Sequence, residues 1–423
     1  TDFMVARYSV QELTSGNPQS WHGIHNIITK ETDCTCLYIS VEKEHARYWI
    51  LEASGAIHFS RKKVSLEKRV ATELVPDLDE FFKESFRSLG ILPQQNCEDR
   101  SLDDTQSMAP HYDNRGLVRD YDPKDFKTNL QSCYEIIIAP MANLLKEPEI
   151  IIVPESCMYQ VPFAAISDEG GKYLADTFRI RVVPSLTTLK LIQDSSPDYH
   201  SQRGALIVGD PEVGEVLLKG KRMIPESLPC ARKEAEMIGR LLGVTPLTGD
   251  RATKEVVLGA INSASLIHFA AHGDAERGEI ALSPNCPTNF IPQDENFLLT
   301  MADISKLRLR AKLVVLSCCH SARGQIKAEG IIGIARAFLG SGARSVLAAR
   351  WAIEDTATEE FMRCFYQNLF RGKSASESLH EARKWLREHG FEKVSQWAPF
   401  MLIGDNVTFD FENWPVSETS KQP

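Results

Sequence analysis

A chain of 423 residues, 43% hydrophobic and 25% charged, is long enough for two or three domains and has the composition of a globular protein. Its 48 basic and 57 acidic residues leave a net charge of −9, which argues against a general binder of nucleic acid or of anionic membrane. There is no run of about 18 apolar residues and no opening signal peptide. The ten scattered cysteines show neither a disulfide framework nor a zinc spacing, so the expectation is a cytoplasmic protein without metal or cofactor.

In chain order, residues 1–33 read as a lead-in, and Cys34 to Val64 as a β-meander turning near Ala53-Ser54-Gly55. Cys34 and Cys36 share a strand face there and read as a small core pair. Leu66 to Leu89 has helical spacing. Gln94 to Asp125 is polar and reads as a long loop open to proteolysis. EIIIAP at 135–140, EIIIVP at 149–154 and RIRVVPS at 179–185 read as strands, and the polar, serine-rich stretch at 194–204, broken by Pro197 and closed by Gly204, as a linker. The division expected is a first half at 1–195, a second at 196–412 and a polar tail at 413–423. The chain opens at Thr1 rather than Met, which reads as a fragment of something longer or a processed form.

The second half opens on the strand ALIVGD at 205–210. The helix after it lines up Ala231, Ala235, Ile238 and Leu242, with Gly243 closing it. A second helix, ATKEVVLGAIN, precedes the strand LIHFAAHG. The strand LVVLSCCHSARG follows, then a helix from Glu329 to Gly342. Two late helices carry capping boxes, Thr356 with Glu359 and Ser374 with Glu377. Short buried strands alternating with helices require a parallel sheet covered on both faces, an α/β three-layer sandwich.

Two of these strands end in reactive residues, one in His272 and Gly273, the other in Cys318 and Cys319. Catalytic groups gather at the carboxyl ends of such strands, and neighbouring strands lie ~4.8 Å apart. An imidazole beside a thiol raises its thiolate fraction and can later protonate a leaving amine. The glycine after His272 allows a carbonyl oxygen to approach backbone N–H groups closely. Cys318 and Cys319 point to opposite strand faces, and periodicity does not choose between them. His268 shares a face with His272 and reads as a structural, hydrogen-bonded histidine. HFAAH lacks the helix and glutamate of a zinc protease. Trp351, Glu354 and Asp355 follow the next strand and read as substrate-pocket residues, the two acids selecting a basic residue before the cleaved bond. Asp355 also reads as a helix cap.

Taken in order, PESCMYQVPFAAI, LIHFAAHG, LVVLSCCHSARG, EGIIGIARAFLGSGARSVLAARW and APFMLIGD resemble the CHAT domains, a branch of the caspase–separase clan of cysteine proteases. The resemblance implies a caspase-like fold, with a pseudo-protease half before the active half. It implies His272 as catalytic histidine, Cys319 as nucleophile, and the N–H groups of Gly273 and Cys319 as the oxyanion hole. The separation of 47 positions from His272 to Cys319 matches the ~50 of caspase-type enzymes. The implied activity is a cysteine endopeptidase acting on protein substrates, gated by an upstream tetratricopeptide-repeat region or a regulatory partner. Cys318, His320 and Ser321-Ala322 depart from the family's alanine, acid and Thr-Gly. The alternative is therefore a catalytically silent caspase-like interaction or scaffold module.

Overall fold

The structure is a computed structural model. It describes residues 21–64 except Lys43, then Leu78, Phe81, Phe82, Glu98, Arg100 and Leu102. From 123 it continues to 411 and Trp414, except 155–157, 160, 202, 275–277, 288–289, 319–327 and 352. The chain forms two compact units, one of Thr1–Leu89 and Tyr112–Ser195, the other of Gly90–His111 and Ser196–Pro423. The sequence placed residues 90–111 in the first half. They belong to the second unit, where Arg100 and Leu102 are buried.

In the first unit, helix α1 (Trp21–Ile28) precedes the meander β1 (Cys34–Glu42), β2 (His45–Glu52) and β3 (Ile57–Lys63). Helix α2 (Pro123–Ile137), strands β4 (Glu149–Val153) and β5 (Arg179–Val182) and helix α3 (Leu186–Gln193) complete it. The sheet order is β3-β2-β1-β4-β5, antiparallel within the meander and parallel from β1 through β4 to β5. Cys34 and Cys36 lie in the core with Ile27, Leu51, Ile151 and Val153, and burial pushes both thiols up to about 12. The expected strand at 135–140 is instead the end of α2 and a 3₁₀ turn. Leu130, Cys133 and Ile137 are all buried, and their spacing follows the helical period, which outweighs the short apolar run. The structure of most of 66–89 lies outside the described residues.

Buried Arg181 on β5 pairs with buried Glu149 (Nε to Oε1, 2.6 Å) and with Glu31. Removing one partner strands charge in the interior. Arg181→Ala is therefore expected to destabilise the protein by about 3–5 kcal/mol in urea unfolding.

The second unit runs β6 (Ala205–Pro211), α4 (Pro229–Leu242), β7 (Leu247–Gly249), α5 (Lys254–Ala260), β8 (Leu266–Ala270), β9 (Leu313–Leu316), α6 (Ala328–Gly340), β10 (Ser345–Ala349), α7 (Asp355–Phe370), α8 (Ala375–Glu388) and β11 (Phe400–Gly404). Its sheet order is β11-β10-β9-β8-β6-β7, parallel except for antiparallel β11. Every residue of β8, β9 and β10 is buried, as strands covered on both faces must be. Helix α4 crosses β6 so closely that a Cβ on Gly209 would lie 2.3 Å from the Ala235 Cβ; only glycine admits that approach.

Among the late elements, Phe361 of α7 stacks on Phe400 of β11 at 4.3 Å between centroids. The capping box at Ser374 forms, with Ser374 Oγ accepting from the Glu377 N–H and the Glu377 carboxylate from the Ser374 N–H. The one at Thr356 does not, because α7 starts at Asp355 with Glu354 as its N-cap residue.

His200 is buried against the Arg310 carbonyl (Nδ1 to O, 3.2 Å), and burial lowers its pKa to about 4. The unfolded chain then binds more protons than the folded chain between about 4 and 6.5. Stability must fall as pH drops through that window. His200→Gln is expected to flatten that part of a stability–pH profile.

Candidate active site

Strands β8 and β9 pair in parallel with a constant offset, Leu266 opposite Leu313 through Phe269 opposite Leu316. The ladder continues past the strand end, where the Ser317 N–H donates to the Phe269 carbonyl at 2.8 Å. This register carries Ala271, His272 and Gly273 out of one strand and Ser317 and Cys318 out of its neighbour. Cys319 lies outside the described residues.

His272 is 3% exposed, and its Nε2 bonds the Glu226 carbonyl at 2.7 Å. A carbonyl only accepts, so the ring proton belongs on Nε2 and the neutral ring keeps its lone pair on Nδ1. The loop carrying Glu226 is itself held. Asp210, at the end of β6, accepts the Leu228 N–H at 2.6 Å and the Arg232 Nε–H at 2.9 Å. Neither Glu226 nor Asp210 was singled out from sequence. Asp210 closes the strand ALIVGD at the same sheet edge as His272, which was the available signal.

Gly273 is tightly packed: a Cβ there would lie 3.3 Å from the Cys318 Cβ. Its N–H donates to the Arg100 carbonyl at 2.8 Å, and its own carbonyl accepts from the Leu102 N–H at 3.1 Å. The expected oxyanion donor thus faces a peptide carbonyl. Cys318 is buried, its sulfur 3.8 Å from the Phe269 carbonyl oxygen.

Behind this edge lies a buried polar network. Arg100 is 2% exposed. Its Nη1 donates to Glu234 Oε2 at 2.9 Å, to the Ser317 carbonyl at 2.7 Å and to Ser317 Oγ at 3.1 Å. Glu234 Oε1 faces His268 Nε2 at 3.2 Å, and His268 Nδ1 meets the Tyr366 hydroxyl at 2.9 Å. Burial alone would raise the Glu234 carboxyl, but Arg100, His268 and Ser317 together hold it below its ordinary value. His268 therefore has the structural, hydrogen-bonded place expected of it. Glu234 was read only as part of an amphipathic helix. An acid three residues after Ala231 and four before Ile238, on an apolar stripe, signals a buried partner.

The three residues expected to line a substrate pocket make contacts within the protein. Trp351 is 1% exposed and donates its indole N–H to the Ser395 carbonyl at 2.9 Å, so it is core. The Glu354 carboxylate accepts from Gln396 Nε2 at 2.9 Å. The Asp355 carboxylate accepts the main-chain N–H of Glu98 at 3.1 Å rather than a basic side chain. The Glu98 carboxylate accepts the N–H groups of Cys230 and Ala231 at the start of α4, at 2.8 and 3.0 Å, and Arg100 Nε at 3.2 Å. Burial raises the Glu98 carboxyl against these donors.

Glu98, Cys230 and Asp355 bring potential metal-ligand atoms within 4.8 Å of one another. The carboxylates are already committed to these hydrogen bonds, and burial with the two acids pushes the Cys230 thiol up to about 11. Among the described residues no helix is long and apolar enough to cross a membrane.

A helix-covered sheet with a histidine at a central strand end is the caspase-like α/β fold. The CHAT domain family model matches residues 127–405, and the chain belongs to that family. The chain is 32% identical over 328 residues to mouse (Mus musculus) tetratricopeptide repeat protein 28, covering 66% of this chain and 13% of that protein. It is 29% identical over 360 residues to the human (Homo sapiens) protein of the same name, covering 74% and 14%. It thus spans about a seventh of the length of these relatives. Among solved structures, the Saccharomyces cerevisiae separase–securin complex aligns over 96% of this chain and 33% of that one. The TM-score is 0.50 at 12% identity, a likeness of fold.

Proposed function

We propose that the second unit is a cysteine endopeptidase working through a His272–Cys319 dyad. The observation that carries this reading is the register of β8 and β9. Their paired residues differ by a constant 47 positions, which is also the separation of His272 from Cys319. The Glu226 carbonyl supports it further, because it keeps the proton on Nε2 and leaves Nδ1 to take the thiol proton.

Cys319 attacks the substrate carbonyl, and the N–H groups of Gly273 and Cys319 stabilise the oxyanion. Protonated His272 hands its proton to the leaving amine, and water then resolves the thioester. The first unit is a non-catalytic caspase-like half. The substrates are proteins, the compartment is the reducing cytoplasm that a nucleophilic thiol requires, and an upstream tetratricopeptide-repeat region gates access.

The test is labelling of the purified chain with an electrophilic thiol probe, read by peptide mapping, alongside cleavage of a protein mixture read as new N-termini. Selective labelling of Cys319 that His272→Ala suppresses, with new termini that Cys319→Ala abolishes, supports the dyad. Slow, equal labelling of many cysteines with no new termini refutes it in favour of a silent interaction module.

A further inference from the structure

β3 ends the sheet order of the first unit, and among the described residues no strand pairs with its outer side. The Glu52 N–H donates to the Ala56 carbonyl at 2.9 Å, and the Val64 N–H to the Glu44 carbonyl at 2.8 Å. Bonded and unbonded pairs alternate along an antiparallel ladder. His58, Ser60 and Lys62 therefore direct their backbone groups to β2. The N–H and C=O groups of Ile57, Phe59, Arg61 and Lys63 point away from it, along the outer edge.

The side chains of those outward residues share one face. On it Tyr38, Trp49 and Phe59 stand in register across the meander, with ring centroids 5.4 and 5.1 Å apart. Phe59 is 58% exposed and Tyr38 37%, whereas Ala46, Tyr48 and Ile50 on the opposite face are buried. The next rung of the aromatic face is Ser40, Arg47 and Arg61. Residues 61–63 read Arg-Lys-Lys in a chain of net charge −9, and all three are exposed. Arg47 pairs with Glu42 at 2.8 Å and Lys63 with Glu44 at 3.0 Å. Among the described residues Arg61 and Lys62 have no acidic partner.

We infer that β3 docks an extended, acidic segment of a partner protein as a further antiparallel strand. The outward backbone groups supply the hydrogen bonds. The aromatic row seats an apolar side chain opposite Phe59, and acids opposite Arg61, Lys62 and Lys63 meet unlike charge. A second copy of the chain fits poorly, because two β3 strands gather two Arg-Lys-Lys runs on one ribbon, and charged edges are how sheets avoid pairing with themselves. The inference is independent of the dyad proposed above.

The test uses the full chain and a fluorescein-labelled peptide, Glu-Glu-Glu-Thr-Phe-Thr-Val, read by fluorescence anisotropy. In antiparallel register its residues stand opposite Lys63 through Ile57. The expected result is saturable binding, about tenfold weaker when lysines replace the glutamates. Arg61→Glu should weaken the glutamate peptide about tenfold and bind the lysine peptide more tightly than the wild type does. Arg61→Pro also removes an outward N–H, a change sheet edges tolerate, and should bind about fivefold more weakly than Arg61→Ala. N-methylation of the third and fifth peptide residues, whose amides face β3, should abolish binding. The same change at the second and fourth, whose amides face away, should leave it intact.

If Arg61→Pro fails to fold by circular dichroism, the methylated peptides, which leave the protein untouched, still read the backbone contact. No binding of the glutamate peptide, equal binding of the glutamate and lysine peptides, or indifference to which amides are methylated overturns the inference. So does a single-stranded oligothymidine that binds through Phe59 and Arg61 while the peptides do not, or a dimer through β3 that the glutamate peptide fails to displace.

Discussion

His272→Ala is expected to slow peptide cleavage by the second unit by about 10³-fold, with little loss of stability. In the proposed mechanism the ring does two jobs in sequence, taking the proton of the thiol and giving it to the leaving amine, and alanine does neither. Its removal also leaves the Glu226 carbonyl without the Nε2–H at 2.7 Å. That site lies at the sheet edge, where water can replace one donor. His272→Gln separates the two effects. An amide can restore a hydrogen bond to Glu226 but cannot shuttle a proton, so its activity should match alanine's while its thermal stability returns. Progress curves on a peptide that the wild type cleaves, with melting curves for both variants, decide this.

Arg100→Ala is expected to act in two directions. It should destabilise the second unit by about 3–5 kcal/mol, the usual consequence of removing one member of a buried ion pair. Glu234 is 1% exposed and keeps His268 and Ser317 as partners. The pH dependence should invert. In the wild type the Glu234 carboxyl is held below its ordinary value of 4.5. Its contribution is therefore present above 4.5 and is lost as pH falls through the lower folded value. Without Arg100, burial dominates and the folded carboxyl rises above its ordinary value, so stability should fall as pH climbs above 4.5. Urea unfolding across that range reads the sign directly.

The central strands were readable from sequence because β8, β9 and β10 are short, β-branched-rich runs buried on both faces. Their carboxyl ends led to His272 for the same reason. Helix α2 was misread because three consecutive isoleucines obscured a stripe at helical spacing. The role of residues 98–102 was not readable, since a polar stretch acquires meaning only from its contacts. Those contacts come from α4, β8, β9 and α7, which are far apart in the chain. Glu234 was hidden similarly: its helix showed an amphipathic stripe, but nothing local showed what the acid faces. Glu354 and Asp355 drew attention as an acidic pair by a strand end, and their carboxylates accept from Gln396 and from the Glu98 N–H. The acid that meets arginine stands instead on the helix crossing β6.

Because the first unit is assembled from Thr1–Leu89 and Tyr112–Ser195, a proteolytic cut anywhere between residues 90 and 111 falls between its two pieces. β1 comes from one and β4 from the other, and they are zipped together by a parallel ladder from Cys34–Glu149 to Tyr38–Val153. A nicked molecule would therefore stay whole in gel filtration and fall into two bands only in detergent, behaving as a two-chain protein made from one gene product.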